Sequence, residues 1–250
     1  MRKPGGRPGD SSSEEKIRLN EAKYRVKFTK TDEAKWISHL DLARYLERSL
    51  RRADLPIAYS NGFSPHPKIS FGQALSVGIE SRAEYVDLTL EKEKATQEIQ
   101  DRLSKVTSEA IRVLNVIKLG SESRKLGKAL VYADYQISIG IGSTNIDRIK
   151  NGIYSSTYLT SEGIKITSEE SDNICMKNSD ADFEGKDLLI VTIRMPVNIS
   201  PKNILKELQD IIALDDASID ITRIAQWSKA GQSLVDPIEV EQEVAVDQKK

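Results

Sequence analysis

The sequence predicts an α+β fold of two tandem ferredoxin-like (βαββαβ) units between disordered tails. Segments with period-two apolar alternation are separated by segments of three- to four-residue periodicity, in the order strand, helix, strand, strand, helix, strand. The same order returns, less cleanly, in the second half. At both ends the apolar residues that would offset the entropy of ordering the chain run out. The boundaries expected from this pattern are a tail over 1–22, a first unit over 23–120, a second and divergent unit over 121–228, and a tail over 229–250.

In YRVKFTK, apolar Tyr24, Val26 and Phe28 alternate with Arg25, Lys27 and Lys30, as in a strand with one wet face. The following helix has Ser38 as N-cap and Asp41 at the third position, Leu42, Leu46, Ser49, Leu50 and Ala53 facing inward, and Pro56 where it cannot continue. KISFGQALSVGIE reads as extended, interrupted by Gly72 and Gly78, and AEYVDLTLEK alternates as a strand. ATQEIQDRLSKVTSE places Ile99, Leu103 and Val106 on one helical face, and IRVLNVIKL closes the unit as a strand.

The joint is expected in SESRKLGKAL, residues 121 to 130. Beyond it VYADYQISIGI is a strand, TNIDRIKNGIY a short helix, GIKIT and NICMK weak extended pieces, and DLLIVTIRMP a strong strand. SPKNILKELQDII is a helix capped by Ser200, with Pro201 at its first position and Leu205, Leu208 and Ile212 inward. ASIDITRIAQW ends the unit as a strand. Residues 154–185 are polar and poorly periodic.

Composition narrows the function classes. Over 250 residues, 37 Lys and Arg face 38 Asp and Glu, so any nucleic-acid binding must come from a local patch. The single cysteine, Cys175, has no second thiol for a disulfide, suits a reducing compartment, and reads as structural or incidental. The absence of a membrane-length apolar run and of a signal-peptide pattern makes a cytoplasmic protein with no membrane partner the expectation. There is no GxxxxGK[ST] or GxGxxG, so no nucleotide cofactor is implied, and no CxxC, HExxH or GxSxG.

Chemistry concentrates in YSNGFSPHPKISFG. Prolines on both sides of His66 restrict its backbone and present one imidazole at a fixed place, as a hydrogen-bonding group, general base or ligand. The chain's other histidine, His39, lies in SHLD at the first turn of a helix, where the macrodipole disfavours its cation and a capping or packing role competes with base work. A metal site from both histidines and Asp41 matches no established ligand spacing, so no metal is expected. Residues 24 to 72 carry nine Lys and Arg against five Asp and Glu. Arg44, Arg48, Arg51 and Arg52 face away from the leucines, with Lys35 before them and Lys68 after, a row able to hold phosphates, while Tyr59, Phe63 and Phe71 could stack on bases. The alternative is a solvated helix face, with Glu47 supporting Arg51.

The segment from KFTKTDEAKWISHLDL to GIESRAEYVDL, residues 27 to 88, resembles a bacterial radical-SAM-linked domain of unknown function, found fused to or encoded beside a radical SAM enzyme. The shared pattern is SHLD, an arginine-rich helix ending in RRAGLP, the GF-[NS]-PHP-[KR] loop and G-x-E-S-x-x-E-Y-x-D. Asp54 stands where the family usually has glycine, as does Thr31-Asp32 where a glycine is frequent. The resemblance implies a radical SAM partner, because one cysteine cannot ligate the cluster of such an enzyme. It implies an accessory protein, and together with the basic patch it leads to the expectation that RNA or another phosphorylated substrate is bound through Arg44, Arg48, Arg51, Lys68, Tyr59 and Phe63. The alternative is an RNA-processing or RNA-modifying enzyme with His66 or His39 as general base, to which the tandem ferredoxin-like order is also similar at the level of fold.

Overall fold

The computed structural model describes residues 21–141, 146–170, 187–212 and 218–239. The protein is α+β, built on a nine-stranded, mostly antiparallel sheet. In the first half the strands are β1 (Ala22–Lys30), β2 (Ile69–Phe71), β3 (Glu80–Leu90) and β4 (Val113–Lys118). They lie in the order β4-β1-β3-β2, with every pair antiparallel. In the second half β5 (Leu130–Ile141), β6 (Lys165–Glu170), β7 (Asp187–Pro196) and β8 (Ser218–Ala230) lie as β8-β5-β7-β6, again antiparallel throughout. A short parallel pairing of β3 with β8, Glu80 with Thr222 and Ser81 with Arg223, fuses the halves into one sheet.

One face of the first half is covered by α1 (His39–Arg52) and α2 (Thr96–Ser104). The alternation in β1 sends Tyr24, Val26 and Phe28 into the core with Leu42, Leu46 and Leu50 of α1, Ile99 and Leu103 of α2, and Val86, Leu88 and Leu90 of β3. Ser38 caps α1, its Oγ accepting from the Asp41 amide at 3.2 Å. At the other end Asp54 N–H donates to the Arg51 carbonyl and Leu55 N–H to the Leu50 carbonyl, the Schellman arrangement. That arrangement needs a left-handed residue, and Asp54 supplies it at φ 52°. Asp32, at φ 49°, is the other non-glycine left-handed residue among those described. The two aspartates thus stand at or beside the positions where the resembling sequences carry glycine, in a conformation that glycine adopts without steric cost.

In the second half α4 (Ile146–Ser155), α5 (Thr157–Ser161) and α6 (Pro201–Ile212) follow α3 (Leu126–Ala129), which lies in the expected joint. Ile149, Ile153, Leu159, Ile204 and Leu208 pack with Ile137, Ile139, Val191 and Ile193. Ile204 rather than Leu205 takes the innermost place on α6; Leu205 is half-buried. Helix α5 breaks up the stretch that lacks periodicity, and both NICMK and Cys175 lie outside the described residues.

The chain corrects the sequence expectation at two places. Residues 229–239 are not a tail: β8 continues to Ala230, pairs with β9 (Ser233–Val235), and the chain then lays Ile238 against Tyr85, Ile117, Leu119, Leu126 and Leu130. That strap and the segment leading into α3 also cover the face of β1 expected to be wet. Arg25 is therefore buried, its guanidinium bidentate on Asp87 at 2.8 and 3.0 Å and donating to the carbonyls of Arg124 and Pro237. Lys27 Nζ and Tyr85 Oη reach Asp236 at 2.6 and 3.0 Å. Lys30 is buried as well and donates to the Lys35 carbonyl, and its burial holds its ammonium pKa below the ordinary lysine value.

The halves are locked by Arg223 of β8, which is 1% exposed. It donates to Glu84 Oε1 at 2.8 Å and the Gln73 carbonyl at 3.2 Å, and twice to Tyr135 Oη of β5, at 3.1 and 3.0 Å. A guanidinium this buried is tolerable only because its donors are satisfied. Arg223→Met leaves the Glu84 carboxylate without its cation and is expected to cost about 3–5 kcal/mol in urea unfolding. Adding Glu84→Gln recovers a large part of that loss, and additive losses would refute the pairing. Asp54→Gly, which removes the left-handed strain, raises stability by about 0.5 kcal/mol with an unchanged denaturant slope, whereas Asp54→Ala lowers it by about 1 kcal/mol.

Candidate functional site

The PHP loop is a closed hairpin extension. Ser60 N–H donates to the His66 carbonyl at 2.8 Å, His66 N–H donates to Ser60 Oγ at 3.0 Å, and Lys68 N–H donates to the Ala58 carbonyl at 2.8 Å. Tyr59 bridges to Pro67. These bonds hold the two limbs, and the two prolines restrict the limb that carries His66. The turn at the tip needs Gly62, whose φ of 123° lies where side chains are strained. His66 is exposed, and its ring has no hydrogen-bond partner among the described residues. Phe63 is wholly exposed and Tyr59 partly so.

His39 sits elsewhere in the same half and has a packing partner. Its ring meets Phe71 of β2 edge to face, with centroids 5.2 Å apart, so the histidine pins the start of α1 to the strand that leaves the loop. The two histidines are thus given different surroundings, one packed and one presented. No group of three His, Cys, Asp or Glu side chains is clustered as metal ligands would be among the described residues.

Arg44, Arg48 and Arg51 run along the exposed side of α1. Arg44 pairs loosely with Asp41 at 3.4 Å. Arg48 and Arg51 have no ion pair among the described residues, and the Glu47 support expected for Arg51 is not made. Arg52 is drawn off the row by the Val106 carbonyl at 2.7 Å.

Lys68 departs from this group. Ile69 and Phe71 of β2 belong to the helix-covered core, so Lys68 and Ser70 alternate to the other face of the sheet. There Lys68 Nζ is held by both carboxylate oxygens of Glu21 at 2.6 and 2.9 Å, on the wall of a cleft of about 430 Å³. The structure therefore brings His39 to Phe71, leaves Arg44, Arg48 and Arg51 on one helix face, and sets Lys68 behind the sheet.

An apolar surface at the start of α1 was not singled out from the sequence. Trp36, Leu40 and Val77 are exposed, and the Trp36 ring lies over Gly78, where an added Cβ would sit 3.3 Å from it. Leu40 lies outside the Leu42, Leu46, Leu50 stripe, an apolar residue at a solvent position of an amphipathic helix, and that misfit was its sequence signal.

A family described as "Uncharacterized protein conserved in bacteria (DUF2344)" matches residues 23–206. The chain belongs to this family. No curated protein matches the DUF2344 chain. A solved structure described as an unknown protein from Galdieria sulphuraria is similar at 11% identity and a TM-score of 0.27, over 82% of this chain and 99% of that one. Among the described residues of the DUF2344 chain no helix is long and apolar enough to cross a membrane.

Because Phe63 and His66 are exposed, Phe63→Ala and His66→Ala should each shift urea-unfolding stability by no more than about 0.5 kcal/mol. Gly62→Val, which forces a branched side chain into the left-handed tip, should cost about 1–3 kcal/mol in the same measurement.

Proposed function

We propose that this chain is an accessory subunit of a radical SAM enzyme, built as two tandem ferredoxin-like units, and that its first half binds RNA or another phosphorylated substrate along α1. The ferredoxin-like reading is supported by the repeated strand order β4-β1-β3-β2 and β8-β5-β7-β6. The radical SAM association is carried by the resemblance of the SHLD and SPHPK segments, and the single cysteine leaves the cluster to the partner.

The observation that carries the binding reading is the pair Arg48 and Arg51, exposed and without a counter-charge among the described residues, on a helix whose opposite side is core. A guanidinium row of this kind meets phosphate oxygens with bidentate, charge-assisted hydrogen bonds. The wholly exposed Phe63 offers an aromatic face for a base, and Trp36 and Leu40 give apolar contact area for the partner enzyme. Lys68 has no part in this row. A general-base role for either histidine draws less support: the His39 ring is engaged by Phe71, and the His66 ring has no group to orient it among the described residues.

Electrophoretic shift with single-stranded RNA tests the reading. Arg48→Ala combined with Arg51→Ala should weaken binding by ~10-fold at low salt and reduce the dependence of log K on log salt by roughly 1 to 1.5. Unchanged affinity and slope would refute RNA binding along α1. Retention of the radical SAM enzyme on the immobilised chain, lost on Trp36→Ala with Leu40→Ala, tests the accessory role separately.

A further inference from the structure

Behind the sheet, on the face away from α1, the cleft of about 430 Å³ is lined by Lys23 of β1, Lys68 and Ser70 at β2, Thr89 of β3, and Arg124 and Lys125 ahead of α3. Its carboxylates are already neutralised. Asp87, on the floor, is taken by both nitrogens of the buried Arg25, and Glu21, at the rim, by Lys68. The side chains of Lys23, Arg124 and Lys125 make no ion pair among the described residues, so three cations remain uncompensated around one concavity. Strands and the buried strap fix the walls: Arg25 also donates to the Arg124 carbonyl at 3.0 Å, which ties the cationic rim to the core.

From this geometry we propose that the cleft is a second anion site, separate from the α1 face, which takes a small phosphorylated molecule. Its volume suits a compact ligand. Its polar walls combine three free cations with the hydroxyl-bearing Ser70 and Thr89, the donor set that a phosphoryl group with two or more negative oxygens engages. No aromatic residue lines it among the described residues, so the phosphoryl group itself is the recognised part. Lys68 is a fourth cation held in reserve by Glu21.

Calorimetric titration of the full chain with inorganic pyrophosphate at low salt tests the site. The expected result is saturable one-site binding that weakens as salt rises. Lys23→Ala with Lys125→Ala, both exposed and remote from the core, should weaken it by ~10-fold or more. Glu21→Gln, which frees Lys68, should tighten it by several-fold, and Arg48→Ala with Arg51→Ala should leave it unchanged. Absence of saturable binding up to ~10 mM pyrophosphate would overturn the proposal. So would weakening by the Arg48/Arg51 variant in place of the Lys23/Lys125 variant, or tighter competition by single-stranded RNA than by small phosphates. The α1 proposal stands or falls on the RNA shift assay alone, so the two failures are distinguishable.

Discussion

The structure depends on neutralising a buried guanidinium. Arg223 sits where β8 meets β3, with its donors shared between Glu84, Tyr135 and the Gln73 carbonyl. The β3–β8 pairing is short, and backbone bonds at two residue pairs could not by themselves hold two half-sheets in register. Desolvation lowers the pKa of a guanidinium, yet here Glu84 and Tyr135 leave it raised above the ordinary arginine value. The cation therefore persists and demands its anion, which makes the junction specific: sliding β8 along β3 would strand a charge on each side.

The same logic recurs at Arg25, and it explains what could be read from the sequence. The alternation of Tyr24, Val26 and Phe28, the Ser38 cap, and the Leu42, Leu46, Leu50 stripe are local patterns, and each lies in the structure where its periodicity places it. Arg25 and Lys30 carry the pattern of a wet face, but both are buried. The partners of Arg25 are out of reach of any local window: Asp87 is 62 residues from it, and Pro237 is 212 residues away. The segment SLVDPI reads as tail for the same reason. It has too few apolar residues to fold alone: Ser233–Val235 is placed by pairing with β8, and Asp236, Pro237 and Ile238 by meeting Lys27, Arg25 and Tyr85.

The candidate site was legible as residue types and less so as an arrangement. SHLD and SPHPK mark the helix start and the loop, and the loop is a pre-formed hairpin. Grouping Lys68 with the arginines fails on strand parity, since one residue's shift along β2 moves a side chain through the sheet. Two cationic surfaces result, back to back. The packed sheet keeps the two groups of cations on opposite faces, each bathed by its own solvent counter-ions.

The carboxy-terminal strap joins the fold to the cleft. Pro237 and Arg124 offer their carbonyls to the one guanidinium that also clamps Asp87, so strap, cleft rim and cleft floor are fixed by a single side chain. Tyr85 extends the network to Asp236, and burial first, then the Asp236 carboxylate, raises its pKa well above the tyrosine range, which keeps it a neutral donor. With Asp87 and Asp236 both satisfied from within, neither carboxylate is left to repel an incoming anion. An electropositive concavity in a chain of net charge −1 arises in this way from the pairing of its acids, together with the cations that Lys23, Lys68 and the locally basic segment around Arg124 and Lys125 bring to it.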